Sequence, residues 1–296
     1  MKKIYILSDL HLGSWAIEHR RTHERRVVSF LDKIKDRGDI IMKADMKFLF
    51  QGDSITDGGR GRNNDPNHIL GHSYVLFVAA ELANRYVHLK PKFYNRGASG
   101  ETTFQIHSRW QTDVFDIGPD VLSILCGAND SGAFFAKSGG YYSDETIAEA
   151  TLERFEYHYR SILEKSRKQN PDLVIMLGLP FRFAVDTLDE RFHSAGDEEE
   201  RAFIMKIRNY ANTLNPEVTF EDKEAVRLGQ CRIIRQLAKE FDAAIVDYEP
   251  AFQEAFQLAP RDYWIWDGVH PTFPMHMRLA KAWLKVWDSL NISKVN

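Results

Sequence analysis

The chain has 296 residues, a formal net charge of −3, 44% hydrophobic and 27% charged residues, the composition of a soluble globular protein. That length allows one large α/β domain or two small ones. The slight acidity gives no reason to expect nucleic acid or an anionic membrane surface as partner, and no apolar run approaches the length of a membrane span. Its two cysteines, Cys126 and Cys231, cannot staple a small scaffold, and Cys126 lies in an apolar run as an inert buried thiol.

In chain order, Ile4 to Leu7 reads as a strand. Its apolar part ends at Ser8-Asp9, too early for a signal peptide, so a cytoplasmic protein is expected. Asp9 and His11, two positions apart at that strand end, could face one metal ion. Glu18 to Arg37 reads as a basic amphipathic helix with Val27, Phe30, Leu31 and Ile34 on one face. Residues 1–39 resemble the opening of the metallophosphoesterases, in particular the UDP-2,3-diacylglucosamine hydrolase branch. The second Gly-Asp, the Gly-Asn-His and the downstream histidines that a two-metal site needs are missing. We therefore expect no metal site and no cofactor. Residues 1–45 read as an extension and 46–296 as one domain starting at Met46, and deleting 1–45 is expected to leave the main activity intact.

From Met46 onward strands and helices alternate, which implies a parallel sheet covered on both faces. Lys47 to Gln51 is a strand that breaks into Gly52-Asp53-Ser54-Ile55-Thr56-Asp57, followed by a polar loop to Asn67. Gly59-Arg60-Gly61 lacks the third glycine of a dinucleotide fingerprint. A helix over His72–Val87, a strand over Lys92–Asn95 and a helix over Thr102–Phe115 follow. Val121–Cys126 is a buried strand, Asp144–Gln169 a helix and Leu173–Leu179 another strand. Residues 181–222 are irregular, and Asp197-Glu198-Glu199-Glu200 suits a solvated helix start. A helix over Lys223–Phe241, a strand over Ala244–Val246, a short helix over Pro250–Leu258 and a last helix over Pro274–Leu290 complete the chain.

Polar groups follow several of these strands: Ser54, Gly97 and Asn129. A loop before the last helix places Asp267 three residues ahead of His270. In a doubly wound sheet such turns converge on one rim. Acyl transfer needs a nucleophile, a base, a group that orients the base, and oxyanion donors, and these residues supply one candidate for each. Singly, each has an ordinary structural use as a cap, a turn or a surface pair. There is no Gly-x-Ser-x-Gly, which excludes the strained elbow of the α/β-hydrolases.

Gly52-Asp53-Ser54-Ile55, Gly97, Gly127-x-Asn129-Asp130 and Asp267-x-x-His270 resemble, in order, the four blocks of the SGNH (GDSL-like) hydrolases, over essentially 46–296. The acetylxylan-esterase branch is the nearest likeness, through Thr56-Asp57, Arg109-Trp110 and Trp266-Asp267-Gly268-Val269-His270-Pro271. The resemblance implies a flavodoxin-like three-layer α/β/α sandwich with a central parallel sheet. It implies Ser54 as nucleophile, His270 as base and Asp267 as its orienter. The backbone N–H groups of Ser54 and Gly97 and the Asn129 amide would form the oxyanion hole. Trp266 is a candidate sugar platform, with Arg62 and Phe181 as candidate pocket walls. The implied function is removal of acetyl groups from carbohydrate, with acetylated xylo-oligosaccharides as substrate partner and a homo-oligomer left open. The alternatives are a lysophospholipase or thioesterase of the same superfamily, a metal-dependent phosphoesterase, and a non-catalytic carbohydrate-binding module. The 181–222 region could be a lid, an oligomer contact or a specificity loop.

Overall fold

The computed structural model describes residues 40–63, 65–130, 144–185, 219–290 and 292–293. The expected first strand and basic helix, with Asp9 and His11, lie outside these residues, as does most of 181–222, including the acidic run.

Five strands form one all-parallel sheet: β2 (Lys47–Gly52), β3 (Lys92–Asn95), β4 (Val121–Leu125), β5 (Val174–Gly178) and β6 (Ala244–Val246), in the order β3-β2-β4-β5-β6. This is the flavodoxin-like strand order, and its switch point lies between β2 and β4, where successive crossovers leave in opposite directions. Side chains alternate across the pleat as a sheet buried on both faces requires. Phe48, Phe50, Val121, Leu125 and Met176 enter one half of the core, while Leu49, Leu122, Ile124, Ile175 and Leu177 enter the other.

The first face is covered by α2 (Tyr74–Arg85) and α8 (Phe273–Ser289), which pack on each other. From α8, Trp287 meets Phe48 edge-on with centroids 5.1 Å apart, and Trp283 lies 5.5 Å from Phe50. The Trp283 indole N–H donates to Ser123 Oγ at 3.0 Å, satisfying the one polar side chain of β4. The second face is covered by α3 (Thr103–Ser108), α4 (Asp144–Gln169) and α5 (Phe220–Glu240). No described helix is long and apolar enough to cross a membrane.

Three departures from the expected elements matter. The helix expected over Thr102–Phe115 is split: α3 ends at Ser108, and Gln111–Phe115 forms a wider π-helical turn. At the break, Arg109 ion-pairs with both Glu101 and Asp113, and Trp110 donates to Ser166 Oγ at 3.0 Å. A four-residue helix, α7 (Arg261–Trp264), follows α6 (Glu249–Phe256) where none was expected. At the start, packing reaches upstream of Met46. Met42 is fully buried in the core, Asp45 N–H donates to Leu89 O at 2.8 Å, and β1 (Ile40–Ile41) pairs in parallel with β7 (Ile292–Ser293).

Candidate active site

Ser54 opens α1 (Ser54–Asp57), a single helical turn at the carboxyl end of β2. As the first helical residue, its backbone N–H belongs to the donors that a helix leaves unused at its N-terminus. The cap of this turn is Asp53, whose Oδ1 accepts the Ile55 N–H at 3.0 Å. That leaves the Ser54 hydroxyl for another task. Its Oγ lies 2.8 Å from His270 Nε2, although 216 positions separate the two residues.

His270 is held by its own loop. Its Nδ1 lies 2.6 Å from Asp267 Oδ2, while Asp267 Oδ1 accepts the backbone N–H groups of Val269 at 2.9 Å and His270 at 2.7 Å. An ionised carboxylate only accepts, so Nδ1 carries the proton and Nε2 presents its lone pair to Ser54. The loop bends tightly at Gly268, with φ +85°, where a Cβ would stand 2.4 Å from the Phe183 carbonyl oxygen. The Phe183 N–H in turn donates to Gly268 O at 3.0 Å, fixing the loop to the segment after β5. Burial raises the Asp267 carboxyl, but the His270 hydrogen bond and charge with the two backbone donors outweigh it and hold the group below the usual carboxylate range. Burial likewise disfavours the charged imidazole, yet the Asp267 hydrogen bond and charge leave His270 above its ordinary value of 6.5.

The remaining candidates fall in different surroundings. Asn129 stands after β4 with Nδ2 donating to Glu101 O at 3.1 Å, which uses one amide hydrogen and orients the other. Beside it, Asp130 accepts from Thr103 N–H and hydroxyl, so residues 101–103 anchor both. The Gly97 N–H donates to Asn95 Oδ1 at 2.9 Å. Glycine there is required by packing, since a Cβ would lie 2.4 Å from the Asp57 nitrogen.

Trp266 lies nearly parallel to the His270 ring, centroids 5.8 Å apart at 21°. It is half-buried beside the triad rather than set in the core. Arg62 forks onto Asp57 with contacts of 3.1 and 2.7 Å, and Asp57 Oδ2 also takes the Ser99 N–H and hydroxyl at 3.0 Å each. Arg62 therefore ties the 57–62 loop to the 97–99 turn. Phe181 is 3% exposed and packs on Phe252 at 4.7 Å, so the structure places it in the core. Among the described residues no group of three or more His, Cys, Asp and Glu could hold a metal ion.

Three residues near the triad escaped sequence reasoning. Arg182, on the segment after β5, acts on both Asp267 and His270 by its charge. Asn95 donates to Thr56 O at 2.8 Å and Leu70 O at 2.9 Å, joining the end of β3 to α1. Asp53, next to Ser54, is 1% exposed with one carboxylate oxygen unpartnered. Only Asp53 had a signal, its place next to Ser54; the other two depend on tertiary contacts.

A serine, histidine and aspartate joined in this way at the switch point of a flavodoxin-like sheet have the arrangement that acyl transfer by a serine requires. Residues 50–277 match the profile of the GDSL-like lipase/acylhydrolase family, and the chain belongs to that family. It is 30% identical to an acetylxylan esterase of Geobacillus stearothermophilus over 245 residues, 81% of this chain and 92% of that protein. Among solved structures it superposes on a GDSL-like lipase from Parabacteroides merdae with TM-score 0.63 and 31% identity, covering 85% of this chain and 99% of that one. On Axe2, an acetylxylan esterase from Geobacillus stearothermophilus, the TM-score is 0.59 with 27% identity, covering 83% and 95%. Catalytic mutants of Axe2 replace a serine, an aspartate and a histidine, the last two spaced as Asp267 and His270 are here.

Proposed function

We propose that this carboxylic ester hydrolase removes O-acetyl groups from carbohydrate, with acetylated xylo-oligosaccharides as substrate, through an acyl-serine intermediate. The observation that carries it is the unbroken line from Ser54 Oγ to His270 Nε2 at 2.8 Å and from His270 Nδ1 to Asp267 at 2.6 Å. His270 takes the Ser54 proton as Oγ attacks the acetyl carbonyl, then returns it to the departing sugar hydroxyl. Water, deprotonated by the same imidazole, releases acetate. Asp267 stabilises the imidazolium in both halves.

The oxyanion is received by the Ser54 N–H, at the head of α1, and by the Asn129 amide. Gly97 adds its N–H when the carbonyl oxygen competes for it with Asn95. Trp266, parallel to His270, offers its face beside the reacting centre, where a sugar ring or acetyl methyl stacks. Arg62 shapes the rim through Asp57. Phe181 supports the wall from within the core.

The test is acetate release from acetylated xylo-oligosaccharides by wild type and Ser54→Ala. We expect release by the first and a loss of at least about 10³-fold in the second. Retained turnover in Ser54→Ala would remove the serine mechanism. A nitrophenyl ester series with rates rising from acetyl to octanoyl would instead favour the lysophospholipase or thioesterase activity.

A further inference from the structure

We propose that Asp53 is a positioning residue for this reaction, a second fixed carboxylate that draws His270 toward its charged form as Ser54 attacks; this rests on the assignment of Ser54 and His270 above. Asp53 is 1% exposed. Its Oδ1 caps α1 through the Ile55 N–H at 3.0 Å, but Oδ2 has no hydrogen-bond partner although it is enclosed. A buried, half-satisfied carboxylate is costly. Capping alone does not require it, because serine or asparagine caps a helix as well without a charge. The extra property of aspartate at this place is the charge itself.

Among the described groups whose charge acts on Asp53, His270 has the opposite sign. The titratable groups facing Asp53 come from several elements: His270 from the loop before α8, Asp130 after β4, Tyr74 on α2 and Cys126 at the end of β4. Asp130 repels it, while burial keeps the Tyr74 hydroxyl and the Cys126 thiol neutral. His270 alone in this group becomes cationic in the neutral range. Burial pushes the Asp53 carboxyl up to about 6, against the Ile55 hydrogen bond and the His270 charge. It is thus ionised at pH 8, and its attraction for the imidazole is small when His270 is neutral and full when the proton arrives. An interaction that strengthens as the transition state forms accelerates the step rather than merely binding substrate. Arg182 opposes it by disfavouring the imidazolium.

Asp53→Asn keeps the capping oxygen and the volume and deletes the charge. In wild type the base must be neutral, so kcat/KM falls on acidification through a value above 6.5. The variant loses one of two negative neighbours of His270. Its acid limb should therefore move to lower pH, with kcat at pH 8 reduced about tenfold or more and KM unchanged. Asp53→Ser, an uncharged cap of another shape, should give the same limb shift and carries the test should the asparagine variant not fold. An acid limb that stays in place, whether kcat falls or not, would reduce Asp53 to a structural cap and overturn the proposal. Ser54→Ala is the separate control: if it retains turnover, the nucleophile assignment fails, whatever Asp53 does.

Discussion

At the scale of single residues the site is a sharing-out of hydrogen-bond donors. Gly97 N–H is held by Asn95, Asn129 is half committed to Glu101, and Ser54 N–H comes from a helix terminus. In the proposed site, the Asn129 amide offers a side-chain donor to the oxyanion, so its loss is a sharp test of the hole. Asn129→Ala is expected to lower kcat by about 10²–10³-fold, the usual effect of deleting one such donor, about 3–4 kcal/mol. Tm should stay close to wild type, because the residue is partly exposed and its anchor at Glu101 is a single bond. Steady-state kinetics on nitrophenyl acetate with a thermal melt decides it: a near-normal kcat would exclude Asn129 from the hole.

At the scale of elements, α8 and α2 are joined by a histidine outside the Ser54–His270–Asp267 line. His276 is 6% exposed and its Nδ1 accepts the Tyr74 N–H at 3.1 Å, closing the N-terminus of α2. Burial first, then the nearby His72 and His270, push it down to about 3, so it stays neutral in the fold. Unfolded, it protonates near 6.5. The unfolded chain then binds more protons, and the stability due to this group is whole above pH 6.5 and lost as pH falls from 6.5 toward 3. His276→Gln keeps an acceptor and cannot titrate. The variant should be less stable than wild type at pH 7.5, and by pH 5 that gap should close by about 2 kcal/mol. Denaturant melts at the two pH values measure it, and a gap of constant size would contradict the titration.

Such contacts also mark the limits of sequence reading at this scale. The strands were legible because a sheet buried on both faces leaves unbroken apolar runs, and the long helices because their apolar stripes recur. The break after Ser108 was hidden because Arg109 and Trp110 fit a helical pattern until Glu101, Asp113 and Ser166 recruit them from elsewhere. Ser54 and His270 stood out in the sequence only jointly, through successive strand-end turns and the Asp267-x-x-His270 loop, whereas Arg182 and Asn95 gain their places only through the fold.

At the scale of the molecule the uncertain boundary is the N-terminal one. The sequence points to Met46, because residues 1–39 resemble the opening of a different family and the likeness to the hydrolase blocks covers 46–296. Packing argues otherwise. Met42 is fully buried and Met46 is 3% exposed. The Met46 carbonyl accepts the Lys92 N–H at 2.9 Å, Lys43 pairs with Asp120 at 2.6 Å, and β1 closes against β7 at the far end of the chain. Residues 40–46 thus lead into β2 and seal the bottom of the sheet, opposite the edge that carries Ser54. A chain beginning at Ile40 should be compared with one beginning at Met46, which differ only in residues 40–45. Removing the buried Met42 should cost about 2–3 kcal/mol, before the lost backbone pairs and the β1–β7 ladder are added. At roughly 2–4 °C per kcal/mol for a chain of this size, Tm should fall on the order of 10 °C. Activity at 25 °C should survive in whatever fraction remains folded, because nothing in 40–46 approaches the triad. Equal melting temperatures for the two chains would return the start of the folded unit to Met46.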